Sequence, residues 1–140
     1  MLRTFPMILI AVAAYNLLVF GGGAAGHDAA ALLAHSITVP MSSGDAWKIS
    51  AGDALVTLTL ALLFIEVVKA TRASQREIIN HALSLLTFIA AVVEFLVLKG
   101  FATSTFFLIT AMCLFDVVAG YSLSIITAKR DVTIAPHAEH

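Results

Sequence analysis

Thr105–Thr127, "TFFLITAMCLFDVVAGYSLSIIT", is a run of 23 residues with one charged side chain, Asp116. An α-helix rises about 1.5 Å per residue. Crossing the roughly 30 Å hydrocarbon core of a bilayer therefore takes about 20 mostly apolar residues. This run meets that length with residues to spare. Three more apolar runs accompany it: Phe5–Phe20, Ala51–Val68 and Ile78–Leu98. The third run is comfortably long. The second suffices if it starts near Ile49, and the first is short unless it continues into Gly21–Gly23.

Composition points the same way. The 140-residue chain is 60% hydrophobic and 12% charged, against roughly 45–50% and about 25% in a soluble domain. So few charges cannot cover that much apolar surface in water. The expected fold class is all-α integral membrane: an antiparallel four-transmembrane-helix bundle with a short outer interfacial helix. The spans fall at about 5–22, 50–69, 78–98 and 105–127, within a single membrane domain 1–130. The outer segment is 23–49, and 131–140 form a flexible cytoplasmic tail broken by Pro136. Short turns after the second and third spans make those spans antiparallel neighbours.

The first run also has the outline of a secretory signal peptide: Arg3, an apolar stretch, then "GGGAAGHD" with small residues at Gly23 and Ala25. An uncleaved first span is the expected reading. Orientation follows the basic residues. Arg3, Lys69, Arg72, Arg76, Lys129 and Arg130 fall on one side, while Lys48 and Lys99 fall on the other. Both termini are then cytoplasmic, in a bacterial inner (cytoplasmic) membrane, and the outer segment faces away from the cytoplasm.

Within the outer segment, "HDAAALLAHSI" reads as a short helix. Asp28 is its N-cap, and Leu32, Leu33 and Ile37 form a weak apolar stripe. It is expected to lie on the membrane surface. A lid over the bundle is the alternative. Trp47, just before the second span, suits the headgroup layer. "GDA" occurs at Gly44–Ala46 and again at Gly52–Ala54, a repeat short enough to arise by chance.

Charges at membrane depth are costly, roughly 2.5–3.5 kcal/mol on insertion scales, and they turn towards protein partners. Glu66 and His81 fall near the cytoplasmic ends of adjacent spans and could meet. Lys69 is a second partner for Glu66 at i+3. Glu94 lies one turn from the outer end of the third span, at the depth of Asn16, which points to an interhelical hydrogen bond. A cation or substrate site at the outer mouth is the alternative reading. Asp116 is deepest. It shares a helix face with Cys113, Gly120 and Ser124, where small residues allow close packing. That face points inward or towards a partner protein. Ser84 and Thr87 reach the depth of Asp116, so a carboxylic acid hydrogen-bonded to a hydroxyl would fasten two helices. A proton or ion relay is the competing role.

Several chemistries find no support. There is no HExxH, no GxSxG and no Ser–His–Asp set at one depth. "GGGAAG" lacks the strand–loop–helix context of a phosphate loop. One cysteine excludes an internal disulfide or a Cys-rich metal site. His27 and His35, eight residues apart on the candidate outer helix, are too few to hold a metal. His137 and His140 flank Glu139 in the tail and give equally weak grounds. His81 has no second histidine at its depth for haem. Neither a catalytic set, a metal site nor a cofactor is expected, and the scattered basic residues give no reason to expect nucleic acid.

The remaining expectation is a small non-catalytic accessory or assembly subunit of a larger membrane complex. Its partners are the lipid bilayer and other membrane-protein subunits, or further copies of itself. The main alternative is a small oligomeric proton- or cation-coupled transporter or channel using Asp116 and Glu94. A weaker third is a membrane enzyme or redox subunit that borrows a partner's cofactor.

Overall fold

The computed structural model describes residues 5–24, 26–71 and 75–134, with side chains except at 75–78, 127–128 and 130–134. In chain order its elements are α1 (Ile8–Ala24), α2 (Ala29–Ala34), β1 (Ser36–Pro40), β2 (Ala46–Ser50), α3 (Ala51–Ala70), α4 (Gln75–Val97) and α5 (Ser104–Ile134). Three stretches are long and apolar enough to cross a membrane: Ala51–Ala70, Ile79–Val97 and Ser104–Ile126. They suggest a membrane location. The fourth apolar helix, α1, is shorter, at 17 residues.

Local sequence sets the ends of α1. Pro6 stands just before it, where a missing N–H costs nothing, and its carbonyl accepts from Leu9 N at 3.1 Å. At the far end, His27 N donates to Gly22 O at 2.8 Å and Gly26 N to Gly23 O at 3.1 Å. Gly26 has φ +77°. This is a Schellman stop, which favours glycine because the left-handed region penalises a Cβ. Ile8, Ala11, Val12 and Tyr15 are buried, and that spacing makes one helical face.

The helices do not pack in chain order. Helices α3 and α4, joined by a short connection, scarcely touch each other among the described residues. Both pack extensively on α5, which lies between them, while α1 closes the far side against all three. The expectation that the second and third spans are neighbours is therefore corrected. The small and polar faces of α4 and α5 fit one another. The apolar core sits towards the α4–α5 turn, where Tyr15, Phe101 and Phe106 pack with ring centroids 4.5–5.3 Å apart. The Tyr15 hydroxyl donates to Gly100 O at 2.9 Å and lies 2.6 Å from Thr103 Oγ1, so α1 is tied to that turn.

The 23–49 segment is not all helical. The helix is confined to Ala29–Ala34, and an antiparallel hairpin follows, pairing Ser36 with Ser50 through Pro40 with Ala46. The physical reason is a period of two in "SITVP" and "AWKIS", with Ile37, Val39, Trp47 and Ile49 on one face. Met41 N donates to Asp45 O at 2.9 Å and Gly44 N to Met41 O at 3.0 Å. Gly44 has φ +91°, the left-handed position of a three-residue hairpin connection. The first "GDA" thus belongs to a hairpin turn and the second to a helix start. The Ser50 side chain accepts from Asp53 N at 3.0 Å, and Asp53 Oδ2 accepts from Ser50 N at 2.9 Å. That is a capping box on α3. His27 and His35 flank α2 rather than sharing a helix, and both are exposed.

At the other end, α5 continues to Ile134, so 131–134 are helical rather than part of a tail. No Gly or Pro interrupts Tyr121–Ile134, and Pro136 disfavours helix in the residue before it. His137, Glu139 and His140 lie outside the described residues, as do Arg3, Ala25 and Arg72.

Candidate functional site

The buried face of α4 follows helical spacing: Asn80, Ser84, Thr87 and Ala91, with His81 beside Asn80. On α5 the corresponding face is Phe106, Ile109, Cys113, Asp116, Val117 and Gly120. Where the two faces meet α3 near Glu66, they enclose a cluster of polar groups.

Glu66 is the hub. It is 2% exposed, and its carboxylate accepts from three elements. The Met7 backbone N–H donates to Oε2 at 2.9 Å, Lys69 Nζ lies 3.1 Å from the same oxygen, and Asn80 Nδ2 donates to Oε1. Met7 immediately precedes α1, so its N–H belongs to the helix start, where a negative charge also meets the positive end of the helix dipole. Lys69 reaches on to Phe5 O at 3.4 Å. One carboxylate therefore joins α1, α3 and α4. The expected Lys69 contact is present. The expected partnership with His81 is not: neighbouring Asn80 takes that place. Sequence reasoning missed Asn80 because it sought charged partners. The available signal was an amide at the same depth as Glu66 in "IINHALS".

His81 is turned onto α5 instead. Its ring lies over Gly120, where a Cβ would sit 2.6 Å from Cε1, and its centroid is 6.0 Å from that of Tyr121. Asp116, 4% exposed, sits beside Ser84 and lies within electrostatic range of Glu66, His81 and Lys69. Thr87, the other proposed donor, instead bonds to Leu83 O in its own helix at 2.8 Å. Cys113, Asp116 and Gly120 are buried within the chain, and Ser124 is half-buried. The first three thus point inward.

Three buried atoms in this cluster have no partner among the described residues: Asn80 Oδ1, His81 Nε2 and Asp116 Oδ2. Buried polar atoms normally have partners, so the cluster retains hydrogen-bonding capacity. Among the described residues, no group of three or more His, Cys, Asp or Glu is placed to hold a metal ion.

A second polar pair lies towards the opposite end. Asn16 Nδ2 donates to Glu94 Oε2 at 3.0 Å and also to Val12 O at 3.0 Å. The depth match in the sequence thus corresponds to a contact between α1 and α4. Both side chains are half-buried, and Lys99 is exposed.

Between the pair and the cluster the interior is mostly apolar, filled by Val12, Leu62, Ala91, Ile109 and Cys113 with Thr59, Thr87 and Thr110 among them. The buried threonines there bond within their own helices: Thr59 Oγ1 to Leu55 O at 2.7 Å and Thr110 Oγ1 to Phe106 O at 2.9 Å. Like Thr87, they bridge nothing. The arrangement fastens helices at both ends. Among the described residues, no chain of hydrogen-bonded polar side chains runs from one end to the other.

Compared with known proteins, the chain matches no protein family, no curated protein and no solved structure.

Proposed function

We propose that this chain is a four-span protein of a bacterial inner membrane, both termini cytoplasmic, acting as a non-catalytic accessory or assembly subunit. Here α1 serves as the fourth span. The reading is carried by the interruption between the polar groups: Asn16–Glu94 and the Glu66–His81–Asp116 cluster are separated by packed, mostly apolar side chains. Such an interior favours a fixed scaffold over a conduit. The outward side chains of α3 and α5, among them Leu58, Phe64, Phe107 and Phe115, are large, apolar and exposed. They suit lipid and neighbouring transmembrane helices alike.

Native purification in mild detergent tests this, with mass spectrometry and an absorption spectrum on one sample. Other membrane proteins in fixed ratio are the expected result. A lone, colourless homo-oligomer would overturn the subunit reading.

A second reading, a proton- or cation-coupled carrier, is favoured by one observation: the unpartnered atoms of Asn80, His81 and Asp116. It makes Asp116→Asn inactive in proteoliposome flux while still folded. On the scaffold reading, Asp116→Asn keeps an acceptor for Ser84 and leaves stability nearly unchanged, and only Asp116→Leu loosens the bundle.

A further inference from the structure

The 36–50 hairpin has two unlike faces. Directly opposed residues in an antiparallel pair project to the same side. The pairs Ile37–Ile49 and Val39–Trp47 therefore share one face, and Thr38–Lys48 belong to the other. The apolar face is uncovered: Ile37 is 63% and Trp47 56% exposed. Val39 and Met41 are exposed as well. A two-stranded ribbon left alone in water is marginal, so this face needs a cover.

We propose that the cover is the lipid surface, with the hairpin lying in the headgroup layer and its Ile37–Val39–Trp47–Ile49 face towards the acyl chains. The inference rests on the membrane reading and extends it to an element outside the helices. Three observations argue for lipid. First, β2 ends at Ser50 and α3 begins at Ala51 with no residue between them. A helix of 20 residues at about 1.5 Å per residue matches the roughly 30 Å core, which sets Ser50 at its edge. Trp47 is then within about 10 Å of that edge along the strand. Second, the apolar face runs into a helix whose outward side chains Leu58, Leu60 and Phe64 are themselves exposed. Third, the uncovered side chains offer a few hundred Å², short of the roughly 800 Å² that each partner contributes to a standard protein interface. On the opposite face Lys48 can extend to lipid phosphates, and Trp47 is a residue type enriched at this depth.

Trp47 is the only tryptophan in the sequence, so its emission reports on the hairpin alone. The full chain is placed in phosphatidylcholine–phosphatidylglycerol vesicles, and flotation with the vesicles tests the membrane reading separately. The expected emission is blue-shifted. Quenching should be several-fold stronger with lipids brominated near the headgroup end of the chain than with lipids brominated near its tip, and weak with aqueous iodide. Val39→Asp should restore iodide quenching, and Thr38→Asp, on the other face, should not. Strong iodide quenching of the unaltered, vesicle-bound chain would put the hairpin in water and overturn the proposal. Protection from both iodide and brominated lipid would overturn it in favour of a protein cover, including a second copy of this chain.

Discussion

Gly120 and the His81 imidazole interlock: the ring of one fills the space that a side chain on the other would need. Gly120→Ala forces the ring off α5, at a cost of about 1–3 kcal/mol for overpacking. A lower melting temperature in mild detergent reads it. His81→Ala should relieve much of that cost in the double variant, because residues in contact couple. A fully additive pair would contradict the packing.

Glu66→Ala strands the buried Asn80 amide and the Met7 N–H, roughly 1–3 kcal/mol for each stranded donor. The Lys69 side chain, 23% exposed, can turn to water and adds little. Glu66→Gln keeps an acceptor oxygen and is expected to retain more than half of the lost stability. Equal losses in the two variants would mean that charge, rather than hydrogen bonding, holds this end together.

Tyr15→Phe removes the hydroxyl that reaches Gly100 O and Thr103 but preserves the aromatic packing. The expected loss is about 0.5–1.5 kcal/mol. Faster amide exchange at the α4–α5 turn, with no change near Glu66, is the accompanying signature.

Ser50→Ala deletes half of the capping box at the start of α3, worth about 1 kcal/mol. Amide exchange should accelerate at Asp53, whose N–H loses its acceptor. Unchanged protection there would show that the hairpin alone fixes the start of the helix.

The long helices were legible in the sequence because hydrocarbon thickness imposes a length, and few other requirements produce 20 apolar residues in a row. The contact of Asn16 with Glu94 was legible for a related reason: helical rise converts residue number into depth. Lateral order was not. Nothing in a run of apolar residues says which helix lies beside which, so α5 between α3 and α4 was missed and His81 was assigned to the wrong neighbour. The hairpin was written in the alternation of Ile37, Val39, Trp47 and Ile49. It was obscured because Leu32, Leu33 and Ile37 also fit a helical stripe, and only Leu32 and Leu33 belong to the helix. Asn80 shows a further limit. An uncharged amide is weakly marked in sequence, yet here it donates to the buried carboxylate of Glu66 and ties α4 to α3.

The place of α5 between α3 and α4 has a consequence for biosynthesis. The ribosome delivers the chain from its N-terminus, so α3 and α4 emerge before the helix that joins them laterally. Until α5 arrives, the polar stripe of Asn80, His81 and Ser84 has no lining, and Gly120 is not there to receive the imidazole. Assembly of the cluster therefore completes only once α5 has been made. A nascent chain stopped before residue 104 should be a better substrate for membrane quality-control proteases than one stopped after Ile134, the last residue of α5.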